Sequence, residues 1–206
     1  MCSGIFLAAA GHDPDRDPAA KALFSYSWST KLEGEGGFVL ELELEMEKVR
    51  IPDAAGDTVT CLKFPNVKQP MPPLFDKLDF SQIRKMPLRD DDIILCTFPR
   101  SGCHWMWELL QMITTGKTEL DPARDKDVGM IELHWLKQKE MDELPSPRVL
   151  NTHLWFTQLP EDVTQKKTKL VFLCRNPKDV CVSWYVVHKE APWYEYRGEF
   201  ANWIQR

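Results

Sequence analysis

The segment DDIILCTFPRSGCHWMWELLQMITTG, Asp91 to Gly116, combines the patterns of a buried strand, a tight turn and a helix. Ile93-Ile94-Leu95-Cys96-Thr97-Phe98 is an apolar run without polar alternation, as expected of a strand covered on both faces. Pro99 ends it, because proline lacks the N–H that a sheet ladder needs. Arg100-Ser101-Gly102 supply a cation, a hydroxyl and a residue free to adopt positive φ. A helix is expected from about Cys103, with Trp105, Leu109, Met112 and Ile113 on one face and Gly116 as its stop. A turn feeding a helix N-terminus aims free N–H groups at one point, beside the positive end of the helix dipole. Such a point suits a phosphate or sulfate, and Arg100 and Ser101 add donors to it.

Two later segments repeat the pattern. Arg148-Val149-Leu150-Asn151-Thr152-His153-Leu154 is expected to be a second strand ending in polar groups. Lys169 to Arg175 is expected to be a third, buried strand, followed by a helix that Asn176 caps, with Pro177 at its first position and Asp179 as an early acid. Val180, Trp184, Val187 and His188 mark the apolar side of that helix. Between the first two strands, Met130, Leu133, His134, Trp135, Leu136 and Met141 fit an amphipathic helix closed by Pro145 and Pro147. A short helix or turn is expected at Leu159-Pro160-Glu161-Asp162. Apolar strands alternating with helices imply an α/β fold: a parallel, doubly wound sheet with flanking helices. In such sheets ligands lie beyond the carboxyl ends of the strands. The residues at those ends are Arg100-Ser101-Gly102, Asn151-Thr152-His153 and Arg175-Asn176, so two arginines and an imidazole are expected at one rim.

The chain has 206 residues, 43% of them hydrophobic, enough for one α/β domain with a real core. Its net charge of −5 provides no global basic field for nucleic acid or an anionic membrane, so an anion site must be local. The six cysteines include no C-x-x-C pair. Cys96 and Cys174 fall in apolar runs, where cysteine acts as a small buried hydrophobe, and a reducing cytoplasm suits this usage. Cys103 stands at a helix N-terminus, where a thiol can be reactive, although a structural role is expected. No apolar run reaches transmembrane length. The Asp90-Asp91-Asp92 triplet is expected to be a solvated turn rather than a metal site.

Residues 1–45 are read as a weakly ordered extension, with the alternating run Phe38 to Glu45 as a candidate edge strand at its end, and residues 46–206 as the domain. Prolines 52, 65, 70, 72, 73 and 87 mark Val49 to Asp91 as an extended, turn-rich lead-in with one short helix near Phe75–Lys85. Phe200, Trp203 and Ile204 share a helical face at the C-terminus with no capping signal after it, so the chain is expected to be cut short.

These segments together resemble the cytosolic sulfotransferases. That family carries a T-Y-P-K-S-G-T-T-W loop, a K-T-H-L strand end and an R-N-x-K-D-x-x-V-S-x-Y segment. Here they stand as Thr97 to Trp105, Asn151 to Leu154 and Arg175 to Tyr185. The resemblance implies a P-loop-like strand–turn–helix for the phosphosulfate of 3′-phosphoadenosine-5′-phosphosulfate (PAPS). The backbone N–H groups of Ser101, Gly102, Cys103 and His104 and the side chain of Arg100 would hold that group, and Trp105 would lie near the adenine. Arg175 and Ser183 would bind the 3′-phosphate, and His153 would be the base that deprotonates a small-molecule acceptor. Arg100 would also stabilise the leaving phosphate, and no metal is implied. Family members pair as homodimers, but the dimerisation motif has no counterpart here.

The chain departs from the pattern at four places. Arg100 stands for a lysine, Cys103 and His104 for threonines, and Asn151 for a lysine. The family's C-terminal part, with a late R-K-G segment, also has no counterpart. Two other functions stay open on the sequence. One is a catalytically impaired, sulfotransferase-like nucleotide-binding or interaction protein. The other is a P-loop kinase or NTPase, against which stands the lack of a G-x-x-x-x-G-K-[ST] loop.

Overall fold

The computed structural model describes residues 46–206 apart from Asn66, Lys77, residues 120–124 and the side chain of Trp135. The extension expected over residues 1–45, with its alternating run, lies outside the described residues. Three parallel strands form the central sheet in the order β4-β3-β5: β3 is Ile93–Thr97, β4 Val149–Thr152 and β5 Lys169–Leu173. The register pairs Ile93 with Val149 on one side and with Lys169 on the other.

Side chains alternate across β3, as the pleat requires. Ile94 and Cys96 join Leu150, Ile131, Met141 and Ile83 in one core. Leu95 joins Val149, Cys103, Trp107 and Leu110 in another. The sheet is therefore covered on both faces at its centre. Helix α1 (Phe80–Lys85) is capped by Asp79, whose carboxylate accepts from the Ser81 N–H at 2.8 Å. Helix α2 (Cys103–Thr115) follows β3 and stops at Gly116, which takes a φ of 67°. A 3₁₀ turn (Ile131–Leu133) runs into α3 (His134–Glu143), which is kinked at Lys137. Helix α4 (Asp162–Gln165) precedes β5, and α5 (Pro177–Glu190) follows it. Asn176 caps α5 as expected, its side-chain oxygen accepting from the Lys178 N–H at 3.0 Å.

Five expectations are corrected. The lead-in contains an antiparallel hairpin, β1 (Glu47–Pro52) and β2 (Thr58–Lys63). Alternating Val49, Ile51, Val59 and Cys61 around Asp53-Ala54-Ala55-Gly56-Asp57 form one apolar face, which the nearby prolines obscured. That face packs on Tyr194, Tyr196 and Trp203, so the helix α6 (Phe200–Trp203) has a cover within the chain. Tyr196 donates to the Asp53 carboxylate at 2.7 Å and fastens the hairpin. Second, β5 is not buried: Leu170 is 41% and Phe172 74% exposed, because only its Val171 and Leu173 face is covered. Third, Cys174 lies just past that strand and is exposed. Fourth, α2 packs through Cys103, Trp107 and Leu110, while the Trp105–Leu109–Ile113 stripe faces outward. Both stripes are apolar, so periodicity alone could not choose between them.

The fifth concerns Asp92, which is fully buried rather than solvated. It forms a two-pronged pair with Arg148, Nη2 to Oδ2 at 2.6 Å and Nε to Oδ1 at 2.8 Å. The pair ties the start of β3 to the start of β4. Arg148→Met leaves the Asp92 carboxylate buried without its counter-charge, keeping only the Arg89 N–H at 2.7 Å, and should cost roughly 3–5 kcal/mol in urea unfolding. Arg148→Met combined with Asp92→Leu should cost much less.

His188 on α5 is a second buried polar group, accepting from the Trp203 indole N–H at Nδ1 over 2.8 Å. Burial, with Arg206 adding to it, pushes its imidazole down to about 3. The unfolded chain then binds the proton first, so this contribution is present above pH about 6.5 and is lost as the pH falls. The urea midpoint should decline from pH 6.5 towards 4.5, and His188→Gln should flatten that decline.

Candidate functional site

Beyond Thr97 the chain turns through Phe98-Pro99-Arg100-Ser101, closed by the Ser101 N–H on the Phe98 carbonyl at 3.1 Å. That bond occupies the Ser101 amide, one of the donors expected for an anion. Arg100 takes a φ of 70° and Gly102 one of 107°. A left-handed φ costs an arginine about 1–2 kcal/mol, so the surroundings must hold it. They do so from β5 and α5. Arg175 Nη1 donates to the Arg100 carbonyl at 3.1 Å, and Arg100 Nε donates to Ser183 Oγ at 3.0 Å. Arg100, Arg175 and Ser183, predicted from three different positions in the chain, thus meet directly.

Helix α2 starts at Cys103 with no side-chain cap. Among the described residues, no acceptor meets the amides of Cys103, His104 and Trp105. Three free N–H groups at a helix N-terminus, with two guanidinium groups close by, are donors of the kind that can hold an anion. Trp105 is 79% exposed and forms a flat apolar surface beside it.

His153 follows β4. Its Nδ1 lies 3.0 Å from the Thr97 carbonyl oxygen and 3.0 Å from Thr97 Oγ1. A carbonyl can only accept, so Nδ1 carries a hydrogen, and in the neutral ring the lone pair falls on Nε2. The ring is half-buried and its orientation is set by β3. His104 is largely exposed; partial burial of its ring first, and then the positive charges of Lys126 and Arg100, push its imidazole down.

Cys103 departs from the reactive-thiol alternative. Its thiol is buried, 3.9 Å from Asn151 Oδ1, and burial pushes its pKa up. Asn151 does not reach into the rim either, since its amide donates to the Lys126 carbonyl at 2.9 Å. Two residues escaped the sequence reading. Thr97 was quoted only as part of a motif, yet it holds the His153 ring. Glu132 is fully buried and accepts the His153 backbone N–H at 2.6 Å through Oε1. An acid inside the apolar run Met130-Ile131-Glu132-Leu133 was the available signal. Among the described residues, no group of three or more His, Cys, Asp or Glu side chains is placed to hold a metal. No described helix is long and apolar enough to cross a membrane.

A family model for the sulfotransferase domain matches residues 90–205. The chain belongs to the sulfotransferase family. All the residues of the rim fall within that match. Human sulfotransferase 4A1 is 30% identical over 140 residues, which cover 65% of this chain and 48% of that protein. Zebrafish sulfotransferase 6B1 is 38% identical over 107 residues, 50% of this chain and 36% of that one. The chain spans about half the length of the first curated relatives it matches. The crystal structure of mouse sulfotransferase SULT7A1 complexed with PAP superposes with a TM-score of 0.52 and 27% identity, over 66% of this chain and 47% of that one. A retinol dehydratase in a complex with retinol and PAP, 19% identical with a TM-score of 0.51, shares the fold.

Within this sulfotransferase domain the thiols differ in access, and that is directly measurable. Iodoacetamide should label Cys174 at the rate of an open thiol. Cys103 and Cys96 should stay unlabelled until denaturant unfolds the chain, as peptide mass mapping would show.

Proposed function

We propose that the rim binds PAPS and that the domain moves its sulfuryl group to a hydroxyl or amine of a small-molecule acceptor. The observation that carries this is the direct meeting of Arg100, Arg175 and Ser183 beside three uncapped helix amides. Two anionic groups must be held to bind such a donor, and the rim offers a separate set for each. The amides of Gly102, Cys103 and His104 with Arg100 suit the 5′-phosphosulfate, and Arg175 with Ser183 suits the 3′-phosphate. Ser101 lends its turn rather than its amide. Trp105 offers its exposed face to the adenine.

His153 acts as the base. The acceptor's O–H or N–H gives its proton to Nε2 while its oxygen or nitrogen bonds to sulfur, and the sulfur–oxygen bond to the departing phosphate breaks. In this reading Arg100 balances the charge that collects on the leaving oxygen. Arginine in place of the family's lysine keeps that charge and adds a planar fork. The PAP seen with mouse SULT7A1 supports a phosphoadenosine donor. A cytoplasmic setting suits the free thiols Cys61, Cys96, Cys103, Cys174 and Cys181. No nucleic acid or membrane partner is part of this reading.

Binding and turnover separate in the test. Calorimetry with PAP should show Arg175→Ala weakening affinity about 10–100-fold, the worth of a lost charge-assisted hydrogen bond. His153→Ala should bind PAP within a few-fold of the parent chain. In a radiolabelled sulfate-transfer assay over phenols, steroids and amines, it should lose about 10²–10⁴-fold in rate. PAP binding without any transfer by the parent chain would favour the nucleotide-binding alternative.

A further inference from the structure

His153 is held from two sides, and the proposed mechanism uses only one of them. Its ring is fixed by Thr97 on β3. Its backbone is fixed by Glu132, whose Oε1 accepts the His153 N–H at 2.6 Å. The sheet register explains the meeting. Met130 forms a parallel bridge with Asn151, and the Asn151 N–H donates to the Gly129 carbonyl at 2.8 Å. Residues 129–132 therefore run beside β4 like a short extra strand. Two steps beyond the bridge, Glu132 and His153 fall side by side.

Glu132 is an expensive choice for a mere spacer. It is 0% exposed, and its Oε2 has no hydrogen-bond partner. A buried carboxyl with one empty oxygen destabilises a fold, and glutamine or methionine would fill the same space without a charge. Burial pushes the Glu132 carboxyl up, and a charged His153 pulls it back down. The other groups around the pair do not provide this negative charge. Cys96 on β3 and Cys103 on α2 are buried thiols, the former pushed up to about 11. Asp127 is paired with Lys126, and Arg100 and His104 add positive charge or none.

We propose that Glu132 is a positioning residue for His153, which anchors its backbone and lends a buried negative charge that stabilises the imidazolium when His153 takes up a proton. The claim rests on His153 being the base, but its test does not need turnover. The imidazole of His153 is followed by nitrogen-edited NMR across pH 4.5–9 in the full chain. Glu132→Gln keeps an oxygen for the His153 N–H and removes only the charge. The His153 midpoint should fall by about one unit in that variant, the usual effect of losing one opposite charge nearby. An unchanged midpoint would overturn the proposal.

The parent chain provides a second readout that no folding defect can spoil. The Glu132 side-chain carbon, observed by carbon-13 NMR, should show a step at the same pH as the His153 ring. A flat Glu132 signal through that pH would also overturn the coupling. In the transfer assay, Glu132→Gln should lower kcat about 10-fold with the donor KM unchanged. A shifted midpoint in a chain that transfers no sulfate would leave the coupling standing and remove the sulfotransferase role instead.

Discussion

A parallel ladder brings every one of its strands to an end at the same edge. That constraint organises this molecule. β3 pairs with β4 on one side and β5 on the other, in register from Ile93 onward. Thr97, Thr152 and Leu173 therefore finish together, and the next residues of each segment are the chemical ones. Arg100, His153 and Arg175 are 53 and 22 positions apart in the chain. With β3 in the middle, its turn receives help from both neighbours: Thr97 holds the His153 ring, and Arg175 holds the Arg100 carbonyl.

The two ends of the sheet divide the labour. At the amino edge, Asp92 and Arg148 satisfy each other inside the core and close the β3–β4 junction. At the carboxyl edge, polar groups are left with something still to bind. The α2 amides have no cap, Arg100 is held in a left-handed conformation, and Glu132 keeps an empty oxygen. Each of these costs stability, and each faces or supports the rim. Uncompensated features gathered at one edge of a sheet are a physical mark of a site.

A second layer of order lies away from the rim. The β1–β2 hairpin, Tyr194, Tyr196 and Trp203 pack together on α5. Through His188 and Trp203 this aromatic group fixes the far end of the helix that carries Ser183. The hydroxyl that meets Arg100 is thus positioned by packing about one and a half turns further along the same helix, and a weakening of that cluster would be felt at the rim.

Much of this was legible in the chain itself. The apolar run before Pro99, the glycine at the turn and the Asn176-Pro177 cap are local signals, and local backbone chemistry makes them reliable. The three motif segments also named the residues of the rim. Other features needed the folded molecule. Which apolar stripe of α2 turns inward, whether β5 is covered, and whether Asp92 is wet depend on neighbours distant in sequence. The hairpin at Glu47–Lys63 was hidden because its apolar face is short and finds its partner some 140 residues later, at Tyr194 to Trp203. The sequence by itself determined that a strand, a turn and a helix would follow one another between Asp91 and Gly116. Only the tertiary structure decided that Glu132 would lie behind the histidine, because that contact comes from two chain segments running in register, and register is a property of the assembled sheet.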